Sequence, residues 1–115
     1  PEGVAVLNVA DSRLVEMAEL CDGEVIFFTS EAENQAVSGQ LLQGGRAVIV
    51  RNECISLAHG QEIIAVSRVD AIPLLSGTTL AARLEYVLAA IAAAWALGVS
   101  VELIRAGVET FKSDV

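Results

Sequence analysis

The chain has 115 residues, a formal net charge of -8 and 54% hydrophobic residues, of which few are aromatic. That length is enough for one domain with a buried, mainly aliphatic core. Its seven Lys and Arg residues are scattered, which excludes non-specific nucleic-acid binding, because displacing counterions from a phosphate backbone takes clustered positive charge.

Residues 4–9, VAVLNV, form an apolar run that reads as a strand buried on both faces. Asp11 or Ser12 then caps a helix carrying Leu14, Val15, Ala18 and Cys21 on one face, and Asp22-Gly23 ends it. Residues 24–29, EVIFFT, read as a second strand. A strand, helix and strand this close together predict a βαβ unit with parallel strands.

Ser30-x-x-Glu33 has the form of a capping box and predicts a helix through Leu41 and Leu42, stopped by Gly44-Gly45. RAVIV (46–50), CISLA (54–58) and EIIAV (62–66) follow as short strands. The separators Arg51-Asn52-Glu53 and His59-Gly60-Gln61 have hairpin length, so these strands predict an antiparallel meander. A connector over 67–77 holds Pro73, and Thr78 or Thr79 opens a long helix to Leu97 with Gly98 at its C′ position. Ser100 caps a last helix over 101–106 or somewhat beyond. The fold class is α/β: a short parallel βαβ unit, a three-stranded antiparallel meander and two C-terminal helices.

Several residues bear on function by what they exclude. The apolar run 86–97 is too short to span a bilayer, and Arg83 and Glu85 interrupt any longer version, so no membrane partner is expected. Ala89, Ala90, Ala92, Ala93 and Ala94 predict a long helix packed on more than one side. Cys21 and Cys54 match no zinc or redox spacing and read as buried free thiols. His59, the sole histidine, stands beside Gly60 as an exposed turn residue without companion ligands, so no metal site and no residue of catalytic role is assigned. Glu16, Glu19, Asp22 and Glu24 cluster near the end of the first helix and read as a solvated face.

Two positions attract more attention. Asn8 and Asp11 lie at the carboxyl end of the first strand, beyond which open α/β sheets bind ligands. Either could equally serve the turn and the helix cap. Arg83 and Glu85 lie at the start of the long helix, where an exposed Arg83 making an i,i+3 or i,i+4 pair is the plainer reading.

Two segments, VAVLNVADSRLVEMA (4–18) and LEYVLAAIAAAWALGVSVELIRAGVETF (84–111), resemble in order and spacing the second half of the central ATPase domain of the Mur ligase superfamily. The likeness is in particular to the Mur-ligase-like half of the cyanophycin synthetases. Where that superfamily carries Asn-Ala-Asp-Asp-Pro, this chain has Asn8-Val9-Ala10-Asp11-Ser12, which keeps the Asn and the second Asp. Where it carries His-Asn-x-x-Asn-Ala-Leu-Ala-Ala, Arg83 stands in the place of the adenine-holding Asn and Tyr86 in that of the second Asn. Glu85 matches the Glu-Asn-Ala-Leu-Ala-Ala form common in cyanophycin synthetases.

The resemblance implies a parent enzyme in which ATP phosphorylates a carboxylate and an amine displaces the phosphate to form an amide. It also implies Asn8, Asp11, Arg83 and Glu85 as cofactor-binding positions. ATP, Mg²⁺ and an amino-acid or peptide substrate would belong to that parent. The chain contains no G-x-x-x-x-G-K-[ST] loop to cradle a triphosphate. Residues 1–115 are therefore expected to be a single domain cut from a longer cytoplasmic polypeptide, a fragment of the ATPase domain lacking its P-loop, with no cofactor of its own. The expected partners are the remainder of the ligase and, for the excised piece, a second copy paired through residues 4–9 or 24–29. A non-catalytic interaction module that retained the fold is the alternative, favoured by Ala10, Arg83 and Tyr86.

Overall fold

The computed structural model describes residues 4–18, 20, 23–30, 34–75 and 80–110. The strands are β1 (Val4–Asn8), β2 (Glu24–Thr29), β3 (Arg46–Arg51), β4 (Cys54–His59) and β5 (Glu62–Arg68). The helices are α1 (Ser12–Ala18), α2 (Gln35–Leu42), α3 (Leu80–Ala96) and α4 (Val101–Thr110), with two 3₁₀ turns, Val69–Ala71 and Pro73–Leu75, ahead of α3.

All five strands form one sheet in the order β1-β2-β3-β4-β5. β1 and β2 are parallel, as the short crossover requires, with Val6 beside Ile26 and Asn8 beside Phe28. The meander is not separate from them, because β3 runs parallel to β2, with Phe27 beside Ala47 and Phe28 beside Val48. Thus β3 closes a second β-α-β crossover and opens the antiparallel part. Ala47, Val48 and Ile49 are accordingly buried on both faces.

The connections explain the register. Asn52 and Glu53 both take positive φ, 53° and 62°, which a two-residue hairpin loop of matching twist demands. Gly60, at φ 61°, opens the β4–β5 loop. At the end of α2, Gly44 takes φ 83° and its N–H donates to the Leu41 carbonyl at 3.0 Å. The start of α2 differs from the Ser30-x-x-Glu33 expectation. Asn34 is the cap, its Oδ1 accepting from Ala36 N at 2.9 Å and Val37 N at 3.3 Å, and Glu33 lies outside the described residues.

Helices cover both faces. α1 and α2 place Val15, Ala18, Val37 and Leu41 against Phe27, Ala47 and Ile49. On the other face Val87, Leu88, Ile91 and Ala92 of α3 and Ile104 of α4 pack on Ile26, Phe28, Val48 and Leu57. These α3 positions, with Leu84 and Trp95, follow the three-and-four spacing of a single apolar stripe. The expectation of packing on several sides is not met: Ala90 and Ala93 are exposed, as are Tyr86 and Leu97. Alanine fits a buried or a bare face alike, so its run conceals the true stripe.

α3 ends as its sequence requires. Gly98 takes φ 86°, Gly98 N donates to Trp95 O at 3.0 Å and Val99 N to Ala94 O at 3.1 Å. The start at Thr78 or Thr79 lies outside the described residues. Ser100 Oγ accepts from Leu103 N at 3.3 Å at the head of α4. Among the described residues no helix is long and apolar enough to cross a membrane.

Candidate functional site at the carboxyl edge of the sheet

Chain direction brings the four singled-out residues to one edge. β1, β2 and β3 run together, β4 returns, and β5 runs back to the edge where β1, β2 and β3 end. α3 starts after β5 and reaches the opposite edge, where Trp95 meets Arg46 at the start of β3. Arg83 stands twelve residues before Trp95, about 18 Å up a helix rising 1.5 Å per residue. Arg83 and Glu85 are therefore near the carboxyl edge, together with Asn8 at the end of β1 and Asp11 at the head of α1.

Local bonding shows what each can do. Asn8 Oδ1 accepts from Ala10 N at 2.9 Å and shapes the turn out of β1. Asp11 Oδ1 accepts from Arg13 N at 2.9 Å, while Leu14 N and Val15 N bond to the Asp11 carbonyl, so Asp11 is the helix cap. The hydrogen-bonded Arg13 side chain holds the Asp11 carboxyl below the usual aspartate range. Arg83 and Glu85 are both exposed on the first turns of α3.

Two clefts open on this edge. One of about 590 Å³ lies between the heads of α1 and α2, lined by Val9, Ala10, Val15, Glu16, Asn34, Gln35 and Ala36. The other, also about 590 Å³, is lined by Val50, Glu53, Val69, Asp70, Ile72, Leu75 and Leu84. Its rim carries Arg68, bonded to Asp70 at 3.1 Å and 3.7 Å from Glu53. That guanidinium lowers the Asp70 carboxyl, and Asp70 in turn raises Arg68. Asn8 and Asp11 adjoin the first cleft, and Arg83 is the chain neighbour of Leu84 in the second.

Sequence reasoning missed a cluster at the opposite edge. Arg46 donates to Glu24 through Nε at 2.5 Å and Nη2 at 2.7 Å, and its guanidinium stacks 4.8 Å from the Trp95 ring centroid. His59 meets the same indole edge-on at 6.5 Å. Glu24 is thus an ion-pair partner rather than part of a solvated acidic face, and Arg46 lowers its carboxyl. His59 is exposed, but it is the last residue of β4 with a ring contact, not a bare turn residue. The one available signal was opposite charge on the first residues of two adjacent strands.

Glu19, Cys21 and Asp22 lie outside the described residues, and Cys54 is a half-buried free thiol. Among the described residues no three or more His, Cys, Asp or Glu side chains come together as a metal site.

Comparison with known proteins gives the context for this edge. The chain is similar along its whole length to one segment of cyanophycin synthetase. The match to the Nostoc sp. strain PCC 7120 protein is 36% identical over 115 residues, all of this chain and 13% of that protein. The Trichormus variabilis and Synechocystis sp. strain PCC 6803 cyanophycin synthetases match at 35% over 115 residues and 31% over 114, again over 13% of their length. No family model matches the chain. The chain therefore spans about 13% of the length of the curated relatives it matches.

Proposed function

We propose that this chain is a segment of an ATP-dependent, amide-bond-forming amino-acid ligase, in which it supplies the base-side wall of a Mur-ligase-type nucleotide cleft. The observation that carries the reading is the 36% identity over a match that spans all 115 residues. The carboxyl-edge placement of Asn8, Asp11, Arg83 and Glu85 supports it, because that edge is where α/β sheets present ligand-binding groups. The rest of the ligase is then the segment's partner, in the cytoplasm, and it brings the amino-acid or peptide substrate.

The residues fit one part of a nucleotide site. An exposed guanidinium at Arg83 offers a planar cation for stacking on a base, whereas Glu85, two residues on, lies on a different side of the helix. The sequence lacks the glycine-rich loop and Lys that hold a triphosphate and its Mg²⁺, which neutralises phosphate charge during transfer. Asp11 is already committed to the α1 cap and Arg13. The segment alone is therefore not catalytic and does not hold Mg-ATP tightly.

Calorimetry tests this with two samples. The isolated chain titrated with Mg-ATP should give no isotherm in the low micromolar range, whereas the intact parent protein should bind and lose affinity on Arg83→Ala. A micromolar isotherm from the isolated chain, or an intact parent indifferent to Arg83→Ala, overturns the assignment. A second reading, a non-catalytic module that kept the fold, is favoured by Ala10, Arg83 and Tyr86, three of the departures from the superfamily pattern. It predicts no ATP binding by the parent.

Self-association of the isolated chain is also proposed, with one change to the strand involved. β2 is interior, paired on both sides, so only β1 of the two expected strands offers a free edge. β1 carries no charge, Pro or bulge to discourage pairing. A two-fold β1–β1 dimer, detectable by light scattering, is the expected form.

A further inference from the structure

The sheet's other outer strand, β5, looks equally prone to strand addition. Its residues EIIAVSR include Ile63 and Ile64, 43% and 46% exposed. An apolar edge of this kind is a template for another chain. Three features meet halfway along it. The register shifts, with Ser56 opposite Ala65 and Ile55 opposite Ser67, so Val66 is an extra residue. Such a bulge bends the strand and interrupts its pairing. At that point Arg105 of α4 donates Nε to the Val66 carbonyl at 2.6 Å and Nη2 to the Ala65 carbonyl at 2.9 Å. Ser67 Oγ donates to Glu109 Oε2 at 2.6 Å, a second tie to the same helix.

Adjacent carbonyls of a regular strand point to opposite sides, so a single side chain does not satisfy both. The extra residue at Val66 removes that obstacle, and a planar guanidinium fork is the group that spans two acceptors at once. We infer that Arg105 seals the β5 edge against strand addition, its guanidinium occupying the carbonyls that an incoming strand would need. What remains below it, from Glu62 to Ile64, is too short to hold an added strand. β5 is then the outer boundary of the sheet, and β1 is the edge left for pairing.

A synthetic peptide with the β5 sequence, EIIAVSR, is the strand-adding probe. The readout is peptide-induced slowing of amide hydrogen exchange in residues 62–68, which separates pairing at β5 from pairing at β1. The wild-type chain should show no slowing there. Arg105→Met should show slowing of at least about tenfold, since losing the seal exposes two acceptors to a competing strand. Arg105→Lys should fall between, because an ammonium is a point donor that cannot fork. Ser67→Ala, which cuts the other α4 tie, should behave as wild type. A folded Arg105→Met chain that gains no protection overturns the inference, and so does an equal gain in Ser67→Ala. If circular dichroism shows that Arg105→Met does not fold, Arg105→Lys decides alone, and no gain over wild type overturns the inference.

Discussion

At the amino edge of the parallel strands, Arg46 is fixed from two directions, by a two-bond ion pair to Glu24 and by the indole of Trp95. Its backbone is held too, since Gln40 Nε2 donates to the Arg46 carbonyl at 2.9 Å and to the Val25 carbonyl at 2.6 Å. At the carboxyl edge the arrangement is reversed. There the ion pairs Arg13–Asp11, Arg68–Asp70 and Arg68–Glu53 all involve solvated guanidinium groups, and two clefts remain open. The Arg46 side chain is 15% exposed and that of Arg13, paired to Asp11, 87%. The same ion-pair chemistry thus does different work at the two edges. A partly buried pair that joins strand to strand and strand to helix stabilises the fold, whereas a solvated pair within one helix cap contributes little. The lesson is a difference in bracing, with a partly buried ion pair tying the amino edge and two open clefts at the carboxyl edge.

The largest test of that difference is Trp95→Ala. It removes the ring from Arg46 and His59 and apolar area from the main core, and should cost about 2–4 kcal/mol in chemical denaturation. Arg46→Met comes next. It keeps the aliphatic stem but loses the ion pair and the cation–π contact, and should cost about 1–2 kcal/mol. Asn34→Ala, which removes an α2 cap at the carboxyl edge, should cost about 1 kcal/mol. Arg83→Ala and Glu85→Ala should stay within about 0.5 kcal/mol of wild type, as exposed substitutions do. If Arg83→Ala destabilises as much as Arg46→Met, the two edges are not different in kind.

Much of the fold was legible because its signals are local. Continuous apolar runs marked the central strands, and Gly44, Gly60 and Gly98 fell where positive φ is needed. What stayed hidden depends on partners distant in sequence. Nothing in RAVIV says that β3 pairs with β2 on its other side. The Ser30-x-x-Glu33 pattern was a plausible cap that lost to Asn34, because the helix begins farther from the strand. Ala90 and Ala93 look buried in a sequence and are not.

The candidate site divides in the same way. The place of Asn8 and Asp11 followed from the rule about strand ends. Arg83 and Glu85 were found only through resemblance to a ligase superfamily, since exposed helical charges announce nothing by themselves. The Glu24–Arg46–Trp95–His59 cluster escaped notice because its members come from two parallel strand starts, a strand end and a distant helix.

The smallest expected effect is the acid dependence of the amino-edge pair, and its sign follows from the ion pair. Arg46 lowers the Glu24 carboxyl below the value of 4.5 taken for an unperturbed glutamate. The folded state therefore binds this proton less readily than the unfolded chain. The stabilisation is present above the unfolded value and is lost as pH falls through the folded one. With Arg46→Met, Glu24 loses its hydrogen-bonded partner and keeps only the weaker attraction of His59. The stability gap between wild type and Arg46→Met should thus be widest above the unfolded glutamate value and shrink as pH falls through the lowered folded one, leaving the part due to Trp95 stacking. Arg13→Ala provides the contrast. Arg13 lowers Asp11 as well, but in full solvent, so its gap should be small at every pH and vanish in about 1 M salt. Urea midpoints measured for the three chains across the acid range decide the matter. A gap for Arg46→Met that does not change with pH would show that Arg46 acts through the indole alone, and that the braced edge owes nothing to its ion pair.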